Sequence, residues 1–183
     1  MKAVILAAGE GARLTPLTNS RPKPMLPVAN RPLLEYVIQA VRDAGISDIV
    51  LVVGYKRERI QSYFGDGNDW GVNIEYAVQD KQLGTGHAVE QAATYVSEDF
   101  VALNGDRILE SEIIEQVASE RRESGQSTMA VTKVNEPGLY GVVERDASGY
   151  VSSISEKPAT NRIASDLINA GVYAFGPEIF DAI

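Results

Sequence analysis

The chain has 183 residues, 44% of them hydrophobic and 23% charged, which suits a single soluble domain with a sizeable core. Seventeen basic against 25 acidic residues give a net charge of −8, which argues against a nucleic acid or an anionic membrane as partner. With no cysteine and one histidine, zinc sites and Cys/His catalysis are nearly excluded, a Ser-His-Asp triad would have to use His87, and a reducing cytoplasm is the expected compartment.

The first apolar run, Ala3-Val4-Ile5-Leu6, carries no charge and runs into glycines. That pattern predicts a buried parallel strand feeding a loop at its carboxyl end, where open α/β sheets bind ligands. A signal peptide is disfavoured, because the apolar core is short and Glu10 and Arg13 follow at once. No run approaches the ~20 apolar residues of a membrane span.

The loop itself reads AAGEGARLTPLTNSRPKPMLP from Ala7 to Pro27. Gly9 and Gly11 allow close backbone approach, and Arg13, Arg21 and Lys23 add positive charge, a combination suited to polyphosphate. A dinucleotide fingerprint would need a third glycine, and a P-loop would need G-x-x-x-x-G-K-[ST]; neither is present. The plain alternative is a surface loop with incidental basic residues.

Downstream, Asn30 is expected to cap a helix with Pro32 in its first turn, which buries Leu34, Val37, Ile38 and Val41 and stops at Gly45. Asp48–Val53 predicts a second buried strand, Lys56–Phe64 a short basic helix, and Val72–Val78 a third strand. Strand and helix alternate as in a parallel sheet with right-handed crossovers. Gln79 to Ala88 reads as a loop opening a helix from Gly86 to Tyr95, with Thr85 as its cap and His87 a packing or capping residue without chemistry. Phe100–Asn104 predicts another strand, and Asp106 lies just past its carboxyl end. One carboxylate there is enough to begin a Mg²⁺ site, because that ion takes phosphate oxygens and water as its other ligands. Taken alone, Asp106 reads more readily as a helix-capping or turn residue.

A helix over Ser111–Ser124 ends at Gly125, and the pattern then changes to short strands around Thr128–Val134, Gly138–Arg145 and Tyr150–Ser155. They predict antiparallel or mixed strands in the C-terminal third.

The long ordered match G-x-G-x-R-L-x-P-L-T followed by P-K-P-M-L-P resembles the sugar-1-phosphate nucleotidylyltransferases, which join an NTP to a sugar phosphate and release pyrophosphate. Further motifs follow in the right order: Gln79 to Gly84, L-x-G-D ending at Asp106, Glu156-Lys157-Pro158, and N-x-G-h-Y-x-F over Asn169–Phe175. The resemblance runs from Val4 to Phe180 and implies a Rossmann-like α/β fold of the nucleotide-diphospho-sugar transferase type. It implies one nucleotidyltransferase domain over 1–183 that family members extend, with a second metal carboxylate beyond Ile183 and reduced turnover and self-association of the chain as it stands.

The resemblance also implies roles. Leu6, Ala8, Gly9, Gly11, Gln79, Gly84 and Thr85 fall to the nucleotide, with Gln79 and Gly84 at the edge of a pyrimidine base. Arg13 is assigned to the leaving phosphates, Lys23 to the reacting phosphoryl groups, Asp106 to Mg²⁺, and Lys157 to the incoming phosphate. Gly141, Glu156, Asn169 and Gly171 fall to the sugar. Arg107, directly after Asp106, is a departure, and its side chain is expected to face outward. UTP or dTTP is favoured as donor and glucose-1-phosphate or N-acetylglucosamine-1-phosphate as acceptor. The alternatives are mannose-1-phosphate guanylyl transfer, phosphocholine cytidylyl transfer, or a non-catalytic regulatory or scaffold subunit of the same fold.

Overall fold

The computed structural model describes residues 1–159 and 163–183. They divide into two compact units, Met1–Thr128 with Tyr173–Ile183, and Met129–Val172. Among the described residues no helix is long and apolar enough to cross a membrane.

The first unit is built on parallel strands. Strand β1 (Lys2–Ala7) is followed by a hairpin of β2 (Pro27–Val28) and β3 (Arg31–Pro32), then helix α1 (Leu33–Asp43) and β4 (Asp48–Val53). Helix α2 (Arg57–Phe64), β5 (Asn73–Val78), helix α3 (Thr85–Glu90), β6 (Phe100–Asn104) and helix α4 (Ser111–Ser124) complete the run. The sheet order is β5-β4-β1-β6, with every neighbouring pair parallel. The uncharged strands are buried on both faces, as parallel sheets require: Val4, Ile5, Val50, Leu51, Val52, Val101, Ala102 and Leu103 have no exposed surface.

Because strand side chains alternate, Val4, Val50, Val52, Phe100 and Ala102 share one face and pack with Ala88, Val89, Ala92 and Val96 of the α3 segment. Phe180, from the last turn, stacks on Phe100 with ring centroids 5.4 Å apart. Helices α1 and α4 pack against each other. The chain leaves β1 for β4 and β5 on one side, then returns to place β6 on the other side of β1. The loops after β1 and β6 therefore diverge at the carboxyl edge, the position at which an open α/β sheet leaves a crevice.

Most strand positions agree with expectation, but the strand expected over Gly138–Arg145 starts only at Gly141, after a single turn over Pro137–Leu139, and two assignments in the first unit also differ. Asn30 is not a helix cap. With Ala29 it forms the two-residue turn of the β2–β3 hairpin, at φ 69° and 47°, and α1 starts only after Pro32. Pairing of Pro27 with Pro32, and the Tyr36 hydroxyl donating to the Val28 carbonyl at 2.9 Å, decide for the turn. Thr85 likewise is not a cap but the first residue of α3, with Gly84 at φ 114° as the N-cap residue, and the helix ends at Glu90 before a separate turn at Ala93–Tyr95.

The second unit is antiparallel, as expected. It holds most of β7 (Thr128–Lys133), then β8 (Gly141–Arg145), β9 (Val151–Glu156) and the start of β10 (Leu167–Phe175). Strand β8 pairs antiparallel with β9 and with β10, and β7 pairs with β10.

Candidate nucleotide site

The loop after β1 folds as three single turns, Ala12–Leu14, Leu17–Asn19 and Lys23–Met25. Thr18, 2% exposed, donates its hydroxyl to the Gly11 carbonyl at 3.2 Å. The Tyr55 hydroxyl reaches the Thr18 carbonyl at 3.2 Å. Gly11 sits at φ 68°, and a Cβ there would lie 2.8 Å from the Lys23 Cβ, so this position needs glycine and fixes where the lysine stem begins. Lys23 Nζ then meets Asp106 Oδ2 at 2.5 Å, across 83 residues of sequence. Both side chains remain about one-third exposed.

Gly11, Lys23 and Asp106 line a cavity of about 670 Å³. Around it stand Leu6, Ala8, Gly9, Gly11 and Arg13 from the first loop, with Gln79, Gly84 and Thr85 from the loop after β5. Every residue expected at the nucleotide is thus brought to one concavity at the carboxyl edge of the sheet. Arg21 is the exception among the expected cations. It lines a different hollow with Arg59 and Tyr63, because the turn at Leu17–Asn19 carries it away from Lys23.

The cavity also includes residues that periodicity does not flag. Asn104 ends β6 opposite Leu6, and Gln82 donates to the Ala8 carbonyl at 3.4 Å, tying the two loops together. A polar residue at the carboxyl end of an otherwise apolar strand was the available signal for Asn104. Gln79, 3% exposed, spends its amide nitrogen on the Gly84 carbonyl at 3.2 Å and on His87 Nδ1 at 2.9 Å.

Gly9 differs from Gly11. A Cβ at Gly9 would meet nothing within 4 Å. Gly9→Ala should therefore leave the thermal midpoint close to that of the parent while weakening nucleotide binding severalfold, since the added methyl intrudes only on what approaches from the cavity. A calorimetric titration beside a melting curve checks both halves; unchanged affinity would show that nothing approaches this backbone.

In the second unit the residues expected at the sugar also gather. Gly141 pairs with Glu156, and a Cβ on it would stand 3.2 Å from Glu156 Oε2 and 3.7 Å from Asn169 Cβ. Lys157 adopts φ 44°, its N–H donates to the Tyr140 carbonyl at 3.0 Å, and its Nζ lies 3.9 Å from Glu156 Oε1. Asn169 Oδ1 accepts from the Gly171 N–H at 2.8 Å, and Gly171 sits at φ 75° in the middle of β10. Lys157 and Gly171 thus both adopt left-handed backbone within this group. Arg107, half-buried, has an interaction within the protein.

Among the described residues no three His, Cys, Asp or Glu side chains converge as a metal cluster. A single carboxylate at a cavity flanked by cations fits a Mg²⁺ ion that arrives with phosphate oxygens and water.

The nucleotidyl transferase family profile matches residues 2–183. The chain belongs to that family. It is 42% identical over its whole length to the bifunctional protein GlmU of Methanococcus maripaludis strain C7, covering 42% of that protein. It is 39% identical to a glucose-1-phosphate thymidylyltransferase of Streptomyces griseus, again over all of this chain and 51% of the relative. The chain thus spans about half the length of the curated relatives it matches, or less. Among solved structures it superposes on a UDP-glucose pyrophosphorylase complexed with UDP-glucose with a TM-score of 0.85 and 25% identity, covering 98% of this chain and 77% of the other.

Proposed function

We propose that the protein transfers a nucleotidyl group from UTP or dTTP to a sugar 1-phosphate, glucose-1-phosphate or its N-acetylamino analogue, giving a nucleoside-diphosphate sugar and pyrophosphate. The observation that carries this reading is the meeting of Lys23 and Asp106, from the two loops that diverge beside β1, in a cavity whose floor is the glycine loop. The names of the relatives, a thymidylyltransferase and a UDP-glucose pyrophosphorylase among them, support both the reaction class and the pyrimidine donor.

A phosphate oxygen of the sugar phosphate attacks the α-phosphorus, the new P–O bond forms, and the bond to the β-phosphate breaks with its electrons leaving on pyrophosphate. The nucleophile has a second pKa near ~6 and is mostly dianionic at neutral pH, so no general base is needed. The task is to bring anions together and hold charge as it shifts. Arg13, exposed at the cavity, faces the departing phosphates; Lys23 serves the reacting phosphoryl group. Lys157 serves the phosphate of the acceptor, with Glu156 and Asn169 on its sugar. Mg²⁺ held by Asp106 would supply neutralisation of the phosphate oxygens. Each charge-assisted contact made in the transition state is worth about 3–4 kcal/mol, on the scale of an oxyanion donor.

Pyrophosphate release, measured with a panel of nucleotides and sugar phosphates, tests the reading. Release with UTP or dTTP that depends on the sugar phosphate is the expected result; nucleotide binding without any release would favour a non-catalytic subunit. A second expectation concerns the base. UTP or dTTP should raise the thermal midpoint more than ATP or GTP at equal concentration, whereas equal stabilisation by all four would mean that Gln79 only packs.

A further inference from the structure

We propose that His87 is the positioning residue that sets base choice, by holding the Gln79 amide so that only its carbonyl Oε1 remains to meet the base. This rests on the reading above, in which Gln79 stands at the base edge.

A glutamine amide has two N–H donors and a carbonyl acceptor, so on its own it can satisfy either pattern on a pyrimidine edge. Here that ambiguity is removed. Gln79 follows the last residue of β5, and its backbone N–H is stitched to the Val53 carbonyl of β4 at 2.8 Å. Its Nε2 donates to the Gly84 carbonyl, which also accepts the Ala88 N–H at 3.1 Å and so is fixed by the first turn of α3. A flipped amide would set oxygen against that carbonyl. The second N–H of Nε2 is taken by His87 Nδ1 at 2.9 Å. Since the amide nitrogen is the donor, Nδ1 accepts and the ring proton sits on Nε2. Gln91 Nε2, which donates to the His87 carbonyl at 3.0 Å, lies 3.4 Å from ring Nε2, a contact rather than a bond in this tautomer.

With both donors spent inside the protein, the amide can offer the cavity an acceptor only. An acceptor favours the N3–H of uracil or thymine and opposes the N3 lone pair of cytosine. Without an acceptor at the place of Nδ1, that N–H is left unpaired in the interior, which favours a turned amide that presents its N–H groups to the cavity, where they suit cytosine. The discrimination therefore depends on a residue that need not touch the base.

The test is the ratio of UTP to CTP affinity, measured calorimetrically on the full chain for the parent, Gln79→Leu, His87→Leu, His87→Gln and His87→Asn. The parent should favour UTP, and His87→Leu should lower the ratio about tenfold, with part of the change appearing as tighter CTP binding. His87→Asn places Oδ1 where Nδ1 was and should restore the ratio, while His87→Gln, which reaches the place of Nε2 instead, should not. That contrast stands even where His87→Leu does not fold. A parent that binds UTP and CTP equally, with no effect of Gln79→Leu, overturns base reading by Gln79 itself. If Gln79→Leu abolishes the preference but the His87 variants keep it, or weaken both nucleotides alike, the positioning role alone is overturned.

Discussion

Lys23→Met should lower the rate of pyrophosphate release more than a hundredfold while shifting the thermal midpoint by no more than about 4 °C. The two halves of this expectation come from different features of one side chain. The Lys23–Asp106 pair is about one-third exposed on each side, and ion pairs in such surroundings contribute ~0–1 kcal/mol to stability. Methionine keeps the aliphatic stem that passes beside Gly11, so packing survives. The ammonium is what disappears. At the α-phosphorus a missing fixed charge is comparable to a lost oxyanion donor, which costs roughly 10²–10³ in turnover. Steady-state turnover beside a melting curve separates the two. A variant that turns over like the parent would remove Lys23 from the reacting centre, and one that no longer folds would make the ion pair structural.

Gly54→Ala should destabilise the protein by about 2–3 kcal/mol, or a fall of about 4–12 °C in the melting temperature. The residue sits where β1, β4 and β5 end together. An added Cβ would lie 2.8 Å from the Gln79 carbonyl, 2.9 Å from the Ala8 carbonyl and 3.0 Å from the Ala8 Cβ. Two of these are backbone oxygens, so no rotamer change can yield space. Both segments are also held by hydrogen bonds, Tyr55 N–H to the Ala8 carbonyl at 3.0 Å and Gln79 N–H to the Val53 carbonyl at 2.8 Å. The strand ends must move apart, and Ala8 and Gln79 both line the cavity, so nucleotide affinity should fall along with stability. Denaturant unfolding with a nucleotide titration measures both. Parental stability in this variant would show that the strand ends separate at little cost. Gly9→Ala, with open space before it, is the natural control.

Much of the frame is legible in the sequence because burial leaves a local trace. Short uncharged runs such as Ala3–Leu6 and Ile49–Val53, bounded by glycine, read as strands covered on both faces, and Gly45 at φ 78° ends α1 where its apolar stripe ends. The glycine loop was legible too, since Gly9 and Gly11 interrupt an apolar run at the end where such sheets bind ligands. Local pattern could not choose between Asn30 as cap and Asn30 as hairpin turn, because asparagine suits both; pairing of Pro27 with Pro32 chose. Nor could it separate Arg21 from Lys23, two residues apart, which turn to different hollows. Lys23 with Asp106, Tyr55 with Thr18, and Gln79 with His87 and Gly84 are polar meetings across 83, 37, 8 and 5 residues. Hydrophobic periodicity records which face of an element is buried. Which donor finds which acceptor is set by strand order, because only placing β6 and β4 on either side of β1 brings the ends of distant segments within hydrogen-bonding distance.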